Sequence, residues 1–367
     1  MRIGIVTLAH NNDNFGGTLQ AVATQAILRA LGHEPFLCNV GPMSAGTYRF
    51  RFSHPIRRLI EFRRFLAFVP FWEEHFSFDP AGHRPFTDYV NAPTPADAYL
   101  CGSDQIWAPY NIGIDPGRRD FFTLNFGSDA AKRIAYAASL GTERFLPDFH
   151  EALRPRLARL NAIGVREASA IQALAEVGRA DAQWVCDPVL LHPADFWNAF
   201  ADRGDAVYSW PRRLAFCPFY RWATLYPQAK ALAQLEHLGL HVRIPFATNS
   251  LRDIPRTCSV SPEAWLSGLR ASEGILTNSY HAMLFSILFH KPFCVLAVAG
   301  KFREMNARFR SIVDRLGLTE RIIDDQTNPR ELAIRLQAPI DWTSVDARLA
   351  EWRTASLAFL KDALTHG

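Results

Sequence analysis

Residues 2–40 run strand, polar loop, helix, strand, and that unit constrains the fold more than any other feature of the chain. "RIGIVTL" (2–8) is an apolar strand and "AHNNDNFGG" (9–17) a polar, Gly-rich loop. "TLQAVATQAILRALGHE" carries Leu19, Val22, Ala26, Ile27, Ala30 and Leu31 at helical spacing and stops at Gly32, and "PFLCNV" is the second strand. A strand that returns through a helix to another strand pairs in parallel. The alternation continues with strands at 98–103, 133–139, 162–167 and 182–188 and helices at 148–160 and 168–177. It breaks over 187–213, where Pro, Asp, Trp and Arg dominate. It resumes with strands at 213–219, 241–247, 274–278 and 293–298 and helices at 224–238, 262–270, 280–290 and 303–316. The predicted fold is α/β: two Rossmann-like domains, 1–195 and 210–335, facing a cleft, with a C-terminal helix over 343–365. Ligands bind such sheets beyond the carboxyl ends of their strands.

Composition narrows the function. Hydrophobic residues are 49% and charged residues 21%, as in a folded globular protein, and a net charge of +4 is too small to point to nucleic acid. Most positive charge is Arg; the lysines are Lys132, Lys230, Lys291, Lys301 and Lys361. The six cysteines (Cys38, Cys101, Cys186, Cys217, Cys258, Cys294) form no CxxC pair and adjoin apolar runs, so neither a zinc site nor a disulfide framework has support. No segment reaches the ~18 uncharged apolar residues of a membrane span, and "MRIGIVTLAH" reads as a first strand rather than a signal peptide. The expected location is cytoplasmic.

Residues 48–72, "YRFRFSHPIRRLIEFRRFLAFVPFW", fit neither run. Ile56, Leu59, Phe62, Phe65, Leu66 and Val69 share a helical face, with Arg57, Arg58, Arg63 and Arg64 around it. Such a helix either packs on its own domain with its arginines solvated or lies on a membrane.

The candidate site residues lie at carboxyl ends of strands. "GIL-TNSYH-AMLFSILFH" reads strand, cap, buried helix. Asn278 or Ser279 can cap the helix, and the free N–H groups with the positive end of the dipole favour an anion. His281 sits in the first turn. Lys301 follows the next parallel strand and emerges on the same edge, as a donor-site cation or a solvated loop lysine. Arg166 ends the "IGVRE" strand, where it either forks onto a carboxylate or phosphate or makes a salt bridge across the cleft. In "CGSDQIW" (101–107), Asp104 and Gln105 suit sugar hydroxyls and Trp107 a sugar face; a tight turn with an Asp cap is the plainer reading. In "NNDNFGG", Asn14 and Gly16 precede a helix as in a phosphate loop, without GxGxxG or the Walker pattern.

Together these segments resemble the polysaccharide pyruvyl transferases. "NFGGTLQAVATQAILRALGH", "GSDQIW", "IAYAASLG", "VREASAIQAL", "VCDPVLL", "LTNSYHAMLFSILFHKPF" and "RFRSIVDRLGLTERII" stand in the order typical of that family, over about residues 3 to 325. The departures are Ala282, where the family often has Gly, and Ala168-Ser169, where it commonly has Ser-Gly. The resemblance implies a GT-B-like fold and transfer of a pyruvyl unit from phosphoenolpyruvate to two hydroxyls of a sugar, as a cyclic ketal. It implies no cofactor or metal, and a sugar acceptor that is a polysaccharide or its lipid-linked precursor; in the membrane reading of residues 48–72, a lipid-linked acceptor is reached by peripheral membrane contact. It makes His281, Arg166 and Lys301 the essential basic set; the reading of the residues themselves puts Asn278 and Ser279 on the donor and Asn14, Gly16, Asp104, Gln105 and Trp107 on the acceptor. Two other readings stay open: a nucleotide-sugar glycosyltransferase, for which the nearest carboxylate in "FREMNARF" is Glu304, and a non-catalytic glycan-binding protein.

Overall fold

The computed structural model describes residues 1–9, 14–38, 55–113, 115–204, 213–217, 222–242, 260–297, 300–324 and 326–366. Parts of the loop at 9–17, of segment 48–72, of the break at 187–213 and of the strands expected at 213–219, 241–247 and 293–298 lie outside these residues, as does Cys258.

The first sheet holds β1 (Arg2–Val6), β2 (Glu34–Leu37), β3 (Ala98–Cys101), β4 (Lys132–Ala138), β5 (Ala162–Val165) and β6 (Gln183–Trp184), in the order β2-β1-β3-β4-β5-β6. The second holds β7 (Arg213–Cys217), β8 (Gly239–Val242), β9 (Gly274–Thr277), β10 (Phe293–Leu296) and β11 (Ile322–Ile323), in the order β11-β10-β9-β7-β8. Every pairing is parallel. The strand order reverses between β1 and β3 in one sheet and between β7 and β9 in the other, the positions where such sheets open a crevice. The expected alternation is present in both halves. The strand expected at 182–188 is reduced to Gln183–Trp184, which pairs with β5 alone.

Two helices bring the halves of the site together. Phe15–Ala30 begins at Asn14, whose side chain accepts from the Gly16 amide at 3.0 Å. Tyr280–Leu288 begins at Ser279, whose hydroxyl accepts from the Ala282 amide, and all nine of its residues are buried. A helix buried all round has no amphipathic face to read. Phe15 stacks on Trp265 of the helix Pro262–Arg270 at 5.0 Å and 4°, and Phe285 meets Trp197 edge-on at 5.0 Å. One apolar cluster therefore contains residues of both sheets.

The C-terminal helix, Trp342–Thr365, packs on the first sheet and also touches Ala307–Leu316 of the second half. Ser356 Oγ accepts from the Cys186 amide at 2.9 Å, and Lys132 Nζ donates to the carbonyls of Leu364 and Thr365 at 2.9 and 2.7 Å. Phe359 lies against Gly164, where a Cβ would come within 2.8 Å of the ring.

The segment expected as a basic amphipathic helix spans Pro55–His75 and is turned differently from the sequence reading. Phe65, Phe68, Phe71 and Trp72 are buried, Phe62 and Val69 are partly buried, and Ile56, Leu59 and Leu66 are exposed. Burying each of the four aromatics contributes ~1.5–3 kcal/mol, and together they decide which side of the helix packs. Arg64, expected among solvated arginines, is accordingly buried on the aromatic side; Arg58 and Arg63 are exposed.

Candidate functional site

Carboxyl ends of β3, β5 and β6 converge with the first turn after β9. Arg166, the residue after β5, is fully buried. Its Nη1 donates to Asp187 Oδ2 at 3.2 Å and lies 3.5 Å from Ser103 Oγ. Its Nε is 3.5 Å from Glu167 Oε1 and its Nη2 is 3.9 Å from Asp104 Oδ1. Among the described residues, neither Nε nor Nη2 makes a hydrogen bond. The guanidinium carbon sits 4.2 Å from the centre of the Tyr280 ring. Burial alone would lower the Arg166 pKa; Tyr280, Glu167, Asp187 and Asp104 more than offset it, and the group is held charged. Burial pushes the Glu167 carboxyl up, against the pull of Arg166 and the Ser139 hydroxyl that donates to it.

His281 comes from the second half and meets this cluster. Its Nε2 lies 3.8 Å from Asp187 Oδ2 and, among the described residues, makes no hydrogen bond. Burial holds its pKa below the ordinary 6.5, with Asp187 and Asp104 pulling up and Arg166 and Arg308 pulling down. The ring is therefore neutral at neutral pH. Its other face lies on the backbone of Gly16, where a Cβ would stand 2.1 Å from Nδ1. Glycine at that point of the helix is explained by this approach, which outweighs its poor helix propensity.

Three residues of the cluster were not singled out from sequence. Asp187 accepts from the Val189 amide with Oδ1, capping a short helix, and from Ser103 Oγ (2.7 Å) and Arg166 with Oδ2. The Asp-Pro pair in "VCDPVLL" signals only the cap. Glu167 stood beside Arg166 in "VRE". Arg308, on the helix Ala307–Leu316, is buried with its guanidinium 4.9 Å from Phe309 and 5.9 Å from Tyr280. Two guanidinium groups thus approach one tyrosine ring. The same helix docks on the Arg166 loop, since Ser311 Oγ accepts from the Ala168 amide at 3.1 Å.

The other expected residues divide. Asp104 lies at the cluster's edge, 13% exposed, with its Oδ1 accepting from the Gln105 amide at 2.8 Å. Asn14 caps the Phe15–Ala30 helix. Asn278 is buried in the turn after β9, and Ser279 caps its helix. Lys301 lies in the 3-10 turn Gly300–Asn306 after β10, as the crossover predicts, and its side chain is outside the described residues. Trp107 corrects the sequence reading: it is 0% exposed, packed in the first sheet's second core, with its indole N–H on the Phe122 carbonyl at 3.0 Å. No face remains for a sugar. Gln105 is likewise turned inward and bonded by the Tyr110 hydroxyl. The positive φ of Gly102 (120°) and Asp104 (68°) turns the chain back under the sheet, so Trp107 follows it into the core.

Solved structures similar in fold include a glycosyltransferase from Rickettsia africae ESF-5, with TM-score 0.54 and 10% identity over 100% of this chain and 99% of that one. The UDP-GlcNAc 2-epimerase of Methanocaldococcus jannaschii, in complex with UDP-GlcNAc and UDP, gives TM-score 0.51 at 10% identity over 100% of both chains. That of Neisseria meningitidis, bound to UDP-GlcNAc, gives 0.50 at 10%, again over 100% of both. Likeness at this identity establishes the fold alone, the two-sheet GT-B architecture. No curated protein matches the sequence. The family model of polysaccharide pyruvyl transferase matches residues 14–300, from the cap at Asn14 to the turn after β10. By that match, which runs from β2 to β10 and takes in Arg166, Asp187 and His281, the chain belongs to the polysaccharide pyruvyl transferase family.

Proposed function

We propose that the chain transfers the pyruvyl unit of phosphoenolpyruvate to two hydroxyls of one sugar, forming a cyclic ketal and releasing phosphate. The observation that carries this reading is a neutral, buried imidazole whose Nε2 makes no hydrogen bond among the described residues, set beside Arg166 and Arg308. A base flanked by cations suits a reaction between a hydroxyl and a small, highly charged anion.

His281 takes the proton of the first sugar hydroxyl as its oxygen bonds to the central carbon of the enol, and returns that proton to the methylene carbon, which becomes a methyl group. The second hydroxyl then bonds to the same carbon as the bond to the phosphate oxygen breaks, and its proton leaves with phosphate. The imidazole ends as it began. A pKa below 6.5 favours the base role at the start over the acid role. Asp187 orients the ring and fixes Arg166. Arg166, Arg308, Lys301, Asn278, Ser279 and the N–H groups of the Tyr280–Leu288 helix bind the donor. Asn14, Gly16 and Asp104 border the acceptor. In this reading the first half is the acceptor domain and the second the donor domain, on the cytoplasmic side.

The test is a donor and acceptor screen. Phosphate release from phosphoenolpyruvate that depends on an oligosaccharide, with the mass of a pyruvate ketal appearing on that oligosaccharide, is the expected result. Turnover of UDP-sugars with phosphoenolpyruvate inert would replace this reading by a glycosyltransferase.

A further inference from the structure

The helix Pro55–His75 has two faces of unequal fate. Phe65, Phe68, Phe71 and Trp72 anchor one side, and the Trp72 indole donates to Thr18 Oγ1 at 3.1 Å. On the other, Ile56, Leu59 and Leu66 are 50%, 56% and 47% exposed. Steps of three and four residues through 56, 59, 63, 66 and 70 place these apolar residues in one line with Arg63 and Pro70, both exposed. The line is about 21 Å long at the rise of a helix. Arg58 is exposed beside it. Between Pro55 and Trp72 the helix has one carboxylate, Glu61, and that is buried. Glu73 and Glu74 lie past the line, and Glu74 is held by Arg203.

From this face we infer a membrane-docking surface: an apolar line that enters the interface of a bilayer, with Arg58 and Arg63 meeting anionic headgroups. Charge decides the occupant. A second copy packed on the same face would bring arginines against arginines across a two-fold axis, with no exposed carboxylate on the line to answer them. No described helix is long and apolar enough to cross a membrane, so the contact is peripheral. Through its buried side the same helix reaches the chemistry: Phe68 packs on Phe15 at 4.9 Å, and the next residue, Gly16, touches His281. If the proposed reaction is right, the helix that backs the site would present its outer side to the membrane bearing a lipid-linked acceptor.

Co-sedimentation of the full chain with vesicles tests the docking without any substrate, so its outcome is independent of the proposed reaction. Vesicles of equal parts phosphatidylglycerol and phosphatidylcholine should bind the protein at low salt, pure phosphatidylcholine should bind it weakly, and salt should release it. Arg58→Gln and Arg63→Gln should each weaken binding about fivefold, and Leu59→Glu with Leu66→Glu about tenfold or more. All four substitutions lie on exposed positions and should leave the melting temperature and soluble-acceptor turnover unchanged. Wild-type protein that ignores anionic vesicles, or variants that bind as wild type does, would overturn the inference. So would a dimer in light scattering that Leu59→Glu dissolves, which would assign the face to a second copy.

Discussion

Arg133 and Arg166 are two arginines of the first sheet, both buried, at opposite ends of neighbouring strands. Arg133, near the start of β4, donates to the carbonyls of Leu124, Ala131, Phe126, Gly127 and Ser128. Arg166, just past the end of β5, bonds Asp187 and Ser103 and, among the described residues, leaves Nε and Nη2 without a hydrogen bond amid three carboxylates. Buried donors are ordinarily satisfied. At the amino edge the rule is kept and the arginine ties a loop to the sheet. At the carboxyl edge charge balance replaces hydrogen-bond saturation, and in the proposed reading the remaining donors serve a ligand. Burial alone does not separate the two arginines.

The strongest way to break this contrast is at the group the carboxyl edge serves. His281→Ala should cost ~10²–10⁴ in turnover and leave the fold intact, with Gly16 and Asp187 keeping their backbone places. In the unaltered protein turnover should fall as pH drops, with a midpoint below 6.5, because the base must be neutral and burial lowers its pKa. Stability moves the same way: the unfolded histidine binds a proton through 6.5 while the folded one does not, so the folded state loses stability as pH falls through that window. Activity within a few-fold of the parent would make His281 a packing residue.

Exchanging lysine for each arginine sharpens the comparison. Arg166→Lys keeps a charge beside Asp187 but cannot fork, and should lose most turnover with a modest change in melting temperature. Arg133→Lys should do the reverse, because several carbonyls lose a donor and each lost bond costs about 1 kcal/mol, while the folded fraction keeps full turnover. Equal effects of the two on turnover would dissolve the distinction. The smallest effect is expected at Arg308→Gln, which should raise the KM for phosphoenolpyruvate several-fold with kcat nearly unchanged. A change confined to kcat would move Arg308 from donor binding to the chemical step.

Strands were legible because parallel strands buried on both faces are unbroken apolar runs, as in "RIGIV" and "FCVL". His281 and Arg166 were legible because they follow such runs. What sequence hid was direction. Trp107 follows a polar turn exactly as a ligand-stacking residue would, and the two positive-φ residues that send it inward leave no periodic mark. Arg308, Arg310 and Arg315 look alike on one helix; Arg308 alone of them is fully buried, because Ser311 fastens that side to the Ala168 amide. Arg64 was misread for a related reason. The helix continues through Pro70 to His75, and Phe71 and Trp72 rotate its anchored face towards Arg64.

The hold of Ser356 on the Cys186 amide also sets an order of events. Asp187, Arg166 and His281 leave the ribosome well before Trp342–Thr365, yet the segment that carries Asp187 is braced by that later helix. A nascent chain with these three groups already made would still lack the brace beside its carboxylate. The cluster would therefore take its final form only once Trp342–Thr365 has been made, and any work it does would wait for that helix.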